Sequence, residues 1–270
     1  TASSKPCSRM PHSDPQVMSF GEPHEHHERL ESTNTRAREL AAAGAPHGTV
    51  VTAGEQTAGR GRQGRSWVAP PGKALLYSAI VRPLEERHMM LPLAAPLAVC
   101  GAAEELRPDI ACQVKWPNDI WLDARKLAGV LIEARPQDGW AVIGVGLNLT
   151  ITSDEFPADL RTTAVSLFDS TGGDMGKSRR SLPAVATAGL PHVPANATAV
   201  LSNHLSRWTE QDPETVLAEW RRRDALKGRE ISWDAGSGIA DGVDERGYLL
   251  VRLADGDRVA LGAGEVHLRL

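Results

Sequence analysis

The sequence predicts an α+β protein in which a large mixed domain is followed by a small all-β domain. Three observations carry this. Between about residue 29 and residue 223, helical patterns alternate with strand-like runs. From Gly228 onward the texture changes to short alternating strands separated by Gly and Asp turns. The length of 270 residues suffices for one large domain and a small one with a sizeable core. The expected division is a disordered tail over 1–28, a larger domain over 29–224 and a C-terminal domain over 225–270.

Residues 1–28 are rich in Ser, Pro, His and Glu and lack apolar periodicity. Within them His24-Glu25-His26-His27 admits a metal-site reading, but no second ligand cluster accompanies it, so it reads as solvated tail. Ser32-Thr33-Asn34 supplies capping residue types ahead of a helix over 35–43, which Gly44 closes. Residues 48–53 and 74–81 read as strands on either side of a Gly/Arg loop. Residues 91–106 read as a buried helix. Pro96 falls inside it, where proline costs about 3 kcal/mol, so the helix is expected to start after Pro96 or to kink there. Residues 114–116 end a short strand. Residues 127–134 and 140–149 form a hairpin whose turn lies in Pro136-Gln137-Asp138-Gly139. A long loop over 169–195, helices over 198–211 and 214–223, and five short strands of an antiparallel barrel complete the chain.

The formal net charge of −4 gives no general attraction for nucleic acid. Cys7, Cys100 and Cys112 show no metal spacing and are too few for a disulfide framework, which points to free thiols in a reducing cytoplasm. No stretch reads as the roughly 20 apolar residues of a membrane span, and no signal-peptide core is seen.

The strongest chemical signal is Gly59-Arg60-Gly61-Arg62-Gln63-Gly64-Arg65. Its glycines let backbone N–H groups approach a bound group, and Arg60, Arg62 and Arg65 can fork onto phosphate or carboxylate oxygens. The run also matches the dinucleotide fingerprint Gly-x-Gly-x-x-Gly. That motif must open a helix at once, which Pro70-Pro71-Gly72 forbids. A disordered arginine/glycine segment is disfavoured by the folded, net-acidic context.

Lys115-Trp116-Pro117-Asn118-Asp119 places a cation at a strand end, with Asn118 and Asp119 on the loop beyond it. Both are also ordinary turn residues. Lys126 precedes an apolar strand, as a site cation or as a plain exposed lysine. Together these groups suit the condensation of a carboxylate with a nucleoside triphosphate, since fixed cations must offset the repulsion of two anions.

The segment from Glu55 to Trp67 is similar to the signature loop of biotin protein ligases. Ser32-Thr33-Asn34, Lys115 to Asp119, Arg125-Lys126-Leu127-Ala128-Gly129 and Gly144-Val145-Gly146-Leu147-Asn148 recur in that family's order. The resemblance covers 29–168 strongly and 213–270 in general character. It implies a mixed β-sheet flanked by helices, related to class II aminoacyl-tRNA synthetases, with a C-terminal SH3-like β-barrel. It implies a ligase that makes biotinyl-5′-AMP from biotin and ATP, with Mg2+, and passes biotin to a lysine of a biotin carboxyl carrier protein or domain. Lys126, Arg62 and Lys115 would be catalytic. Ser32, Thr33, Asn34, Gln56, Arg60, Gly61, Arg62, Lys126 and Gly129 would bind biotin. Arg62, Arg65, Trp67, Lys115, Asn118, Asp119 and Asn148 would bind ATP and the adenylate, Asp119 being the candidate Mg2+ ligand.

Three departures from the family are noted: no apolar strand over His24–Leu30, Pro96 where a helix belongs, and an unmatched stretch over 169–195. A winged helix-turn-helix takes about 60 residues, more than precede Ser32, so the expectation is a ligase without a DNA-binding repressor module. No DNA or membrane partner is expected, and the chain should be a monomer or weak homodimer. The competing readings are a lipoate or octanoate ligase of the same fold and a non-catalytic biotin or nucleotide binding module.

Overall fold

The computed structural model describes residues 19–168, 195–262 and 266–268. Twelve strands and four helices follow in order: β1 His24–Leu30, α1 Thr33–Ala42, β2 Val50–Gln56, β3 Ala74–Val81, α2 Leu91–Leu106, β4 Gln113–Lys115, β5 Asp119–Leu122, β6 Arg125–Arg135, β7 Trp140–Asn148, α3 Ala197–Thr209, α4 Pro213–Arg223, β8 Glu230–Trp233, β9 Gly236–Val243, β10 Leu249–Arg252, β11 Arg258–Leu261 and β12 His267–Leu268.

The first seven strands make one mixed sheet in the order β1-β2-β3-β7-β6-β5-β4. The β1/β2 pair is parallel and the other pairs are antiparallel. On one face, α1 buries Ala37 and Ala41 against Val51, Ile80, Trp140 and Val142. On the other face, α2, α3 and α4 join the larger core with Tyr77, Ala79, Ile143 and Val145. The last five strands form an antiparallel sheet, β11-β10-β9-β8-β12. Its Ile231, Val243, Leu249, Val251 and Val266 belong to the same apolar core as the large sheet. The hairpin turn falls where Asp-Gly predicts it, with Gly139 at φ 68°.

Four expectations need correction. Residues 24–28 are not tail: β1 is a polar edge strand, aligned residue for residue with β2. The His24 and His26 rings each lie 2.8 Å from the Thr52 hydroxyl, and Glu25 pairs with Arg36 of α1 at 2.8 Å. Backbone pairing and these polar contacts hold the strand where an apolar face would otherwise be needed. The rest of the expected tail, up to residue 18, lies outside the described residues, as do 169–194 of the unmatched loop.

The helix α2 starts before Pro96 and runs through it, which rules out the start after Pro96, one of the two expected alternatives. Pro92 occupies the first turn, where its missing N–H is no loss, and Pro96 forfeits one helical bond while its ring is buried in the core. Asp119 does not sit on a loop but opens β5, paired with Lys115 across a tight hairpin. Finally, the continuous helical stretch Glu86–Leu106 does have the length and apolar composition of a membrane span, and 67% of its most apolar window is buried inside the protein. Its apolarity is that of a core helix packed between the sheet and α3.

Candidate active site

The expected site residues all line one pocket of about 480 Å³. Strand periodicity explains its floor. On β6 and β7, Gly129 pairs with Gly146 and Leu131 with Gly144, so three glycines share one face of the sheet. Their missing side chains make room. A Cβ on Gly146 would lie 2.4 Å from the Trp67 ring, and one on Gly144 would lie 1.9 Å from Asn34 Oδ1. The Trp67 indole therefore rests on the backbone of β7, with its Nε1 buried and unpartnered among the described residues.

The inner wall is polar. Ser32 stands at the N-cap of α1, yet its side chain makes no capping bond. Gln56, at the end of β2, takes that duty: its Oε1 accepts from Thr33 N at 2.6 Å and from Thr33 Oγ1 at 3.0 Å. The Ser32 hydroxyl is left buried, 1% exposed, without a partner among the described residues. A buried hydroxyl in this state is costly unless something polar meets it. Beside it, Ser78 Oγ lies 2.6 Å from Asn34 Oδ1 and 2.8 Å from Thr33 Oγ1.

The outer wall is cationic. Arg60, Arg62, Arg65, Lys115 and Lys126 line the pocket, against Asp119 as the carboxylate among the described lining residues. Lys126 reaches this face through a slip in register. Ile120 pairs with Ala128 but Trp121 pairs with Lys126, which leaves Leu127 as an extra residue. Leu127 and Ala128 both turn into the core, and Lys126 is re-aimed into the pocket, as bulges commonly do. Its Nζ lies 2.7 Å from Asp119 Oδ1 and 5.7 Å from the Trp67 ring centre. Lys115 sits over Trp121 at 5.3 Å. Burial of the half-covered Arg62 pulls its pKa below the usual value; Asp119 opposes the shift and Arg65 adds to it. A guanidinium remains charged throughout the neutral range even so.

The Gly/Arg loop is a small hairpin. Gly61 N donates to Arg65 O at 2.7 Å and Trp67 N to Gly59 O at 2.9 Å, with Arg60 bridged to Ser66. Gly59 is required by close approach, since a Cβ there would lie 2.3 Å from Trp67 O, and Gly64 turns the chain at φ 73°.

Two expected site residues also have structural duties. Asn118 Nδ2 donates to Val130 O at 2.8 Å, while the Asn148 amide donates to Val165 O at 3.1 Å. Gly144 and Gly146 also line the pocket, and Ser78 and Glu133 support lining residues from outside it; none of the four was expected as a site residue. Nor were His267 and Leu268 of β12, through which the C-terminal sheet reaches the pocket. The glycine pair was visible as a period-2 repeat in Gly144-Val145-Gly146; the last strand was expected as part of the barrel, but nothing in the sequence tied it or Glu133 to the site. Among the described residues, no group of three or more His, Cys, Asp or Glu stands ready for a metal ion.

Residues 27–149 match the model of the biotin/lipoate A/B protein ligase family, and residues 234–269 match the biotin protein ligase C-terminal domain. A biotin–[acetyl-CoA-carboxylase] ligase of Mycobacterium tuberculosis is 33% identical over 251 residues, covering 88% of this chain and 86% of that protein. A bifunctional ligase/repressor of Bacillus spizizenii is 38% identical over 149 residues, covering 53% of this chain and 45% of that protein. The chain thus spans less than half the length of this relative. Among solved structures, the biotin protein ligase of Aquifex aeolicus in complex with biotin and ATP matches with a TM-score of 0.69 at 26% identity, covering 92% of this chain and 99% of that one.

Proposed function

The chain belongs to the biotin protein ligase family, and on that premise we propose that it activates biotin with ATP and transfers it to a carrier lysine. The observation that carries the reading is the polarity of the pocket. Among the described residues, a buried Ser32 hydroxyl without a partner sits at its inner end beside Thr33, Asn34 and Gln56, and at its outer end five cations face one carboxylate. A long acid with a cyclic urea head fits this sequence of surfaces. The head needs a few placed polar groups, and the carboxylate needs cations.

In the first step a biotin carboxylate oxygen bonds to the α-phosphorus of ATP, while the bond from that phosphorus to the β-bridging oxygen breaks and pyrophosphate leaves. Lys126 and Arg62 offset the repulsion between carboxylate and phosphate, and preorganised donors of this kind stabilise the charge that builds in transfer. Trp67 would stack on the adenine, and Lys115 would face the phosphates. In the second step a carrier lysine amine attacks the acyl carbon. AMP departs with the bonding pair, and the amine loses a proton. Asp119 fits a Mg2+ ion only as one ligand, because Lys126 already pairs with it; phosphate oxygens and water would supply the rest, as is usual for this ion. When bound, the ion neutralises phosphate charge.

We further infer a class II synthetase-like architecture for the mixed sheet and an SH3-like barrel for the C-terminal sheet. Support comes from the mixed strand order and from five short antiparallel strands. The same reading keeps a functional division at 224/225. A carboxylase's biotin carrier domain is the proposed partner, on the strength of what the Mycobacterium relative is named for.

Pyrophosphate release by the purified protein tests the reading. Biotin with ATP should release it, and lipoate or octanoate should not. Release with lipoate alone would transfer the chain to the other branch of the family, and no release with any acid would leave a binding module.

A further inference from the structure

We propose that Glu133 is a positioning residue that fixes the Gly/Arg loop to the polar inner wall of the pocket; this rests on the proposed ligase function. Glu133 does not line the pocket and is not a candidate for contact with substrate. It lies on β6 four residues beyond Gly129, on the same face as the glycine floor. The β5 pairing stops at Gly129, so this part of β6 leaves room at its side for long side chains.

Three groups converge on the carboxylate. Arg60 Nη2 lies 3.0 Å from Oε1, Asn34 Nδ2 donates to Oε2 at 2.9 Å, and Arg38 Nη1 lies 3.3 Å from Oε1. The carboxylate is largely shielded, with the side chain 21% exposed. Arg60 belongs to the loop, and Asn34 belongs to the inner wall. From Asn34 the network continues through Ser78 to Thr33 and to Gln56. Gln56 is the residue from which the chain enters the loop. Both the loop's arm and its root are thereby tied to the wall that would hold the biotin head, with Glu133 at the joint. Occupancy of that wall and position of the loop are then one event rather than two.

A simpler role would be to tether α1 through Arg38. The two roles separate in a comparison of Glu133→Gln, Glu133→Asp and Arg38→Ala in the full chain. Gln keeps an oxygen for Asn34 and removes the charge that holds Arg60. Trypsin cleavage after Arg60, Arg62 or Arg65 should quicken about tenfold in Glu133→Gln, as expected when a partly buried charge pair is lost. Its KM for biotin should rise about tenfold while kcat changes by less than about threefold. Glu133→Asp should recover part of both effects, and Arg38→Ala should show neither. Wild-type cleavage and KM in Glu133→Gln would overturn the proposal, as would equal effects from Arg38→Ala. Should Glu133→Gln not fold, Glu133→Asp decides alone: intermediate cleavage and KM support the proposal, and wild-type values refute it. The cleavage arm needs no enzymatic activity. A protein that releases no pyrophosphate would therefore refute the ligase reading while the loop's dependence on Glu133 is still measured.

Discussion

At the scale of single residues, the site depends on where side chains are absent as much as on where they are present. Gly146→Ala would put a methyl within 2.4 Å of the Trp67 indole, so the ring must leave its seat. Trp67 fluorescence should change and ATP-dependent activation should fall at least tenfold, with far-UV circular dichroism unaltered; unchanged activity would show that the seat is unimportant. Lys126 is the other sensitive position. Lys126→Ala removes a pocket cation and leaves Asp119 without its partner at 2.7 Å. Loss of one transition-state donor is worth about 100-fold or more, so adenylate formation should fall by that order while the fold persists. Wild-type adenylation in this variant would mean that Lys126 is misassigned.

At the scale of elements, legibility followed apolar periodicity. The strands β3, β6 and β7 and the helices α2, α3 and α4 bury clear faces, and the sequence displays them. The strand β1 does not: its hydrogen-bonding edge and the shared Thr52 contact hold it, and neither has an apolar signature. The strand β5 is four residues long and begins where Pro117-Asn118 suggests a turn. The bulge that aims Lys126 is invisible for the same reason, since a register slip is a property of pairing and not of one strand.

The Gly/Arg loop was legible as chemistry but not as shape. Three glycines and three arginines suggest a segment costly to order, at roughly 1–2 kcal/mol per residue. Its hairpin bonds and the Arg60–Glu133 pair offset part of that cost. Biotin with ATP should still slow tryptic cleavage within the loop; equal rates with and without ligands would exclude gating by this element.

The helix α4 gives a pH test. Hydrogen bonds from Arg222 hold Glu219 down at about 2, against a partial opposition from burial, with Arg223 adding to the depression. A carboxylate depressed in the folded state stabilises fully above its ordinary value near 4.5 and loses that contribution as pH falls toward 2. Glu219→Gln should therefore melt below wild type at pH 7, and the gap should close between pH 4.5 and 2. A gap that stays constant through that range would deny the ion cluster its role.

At the scale of the whole molecule, the two sheets are less separate than the change in sequence texture suggests. They share one apolar core, and Trp116 Nε1 donates to Gly247 O at 3.0 Å, joining the Lys115–Asp119 hairpin to a turn of the C-terminal sheet. The side chain of Arg221 adds a second tie, donating to Val243 O at 3.1 Å. Thermal unfolding should accordingly show one cooperative transition rather than two. Trp116→Phe keeps most of the bulk and deletes the donor, at about 0.5–1.5 kcal/mol. It should raise the KM for ATP and leave biotin affinity unchanged; the reverse pattern would detach the C-terminal sheet from the nucleotide side.

On the proposed function, this pocket builds an activated acyl group and hands it to a protein lysine. Intact-mass spectrometry of a purified biotin carrier domain, incubated with the protein, biotin and ATP, tests this most directly. The expected result is a single biotinyl adduct on one carrier lysine, dependent on ATP and forming about 100-fold more slowly, or slower still, in Lys126→Ala. A carrier that stays unmodified, or acquires the adduct equally well without ATP, would contradict it.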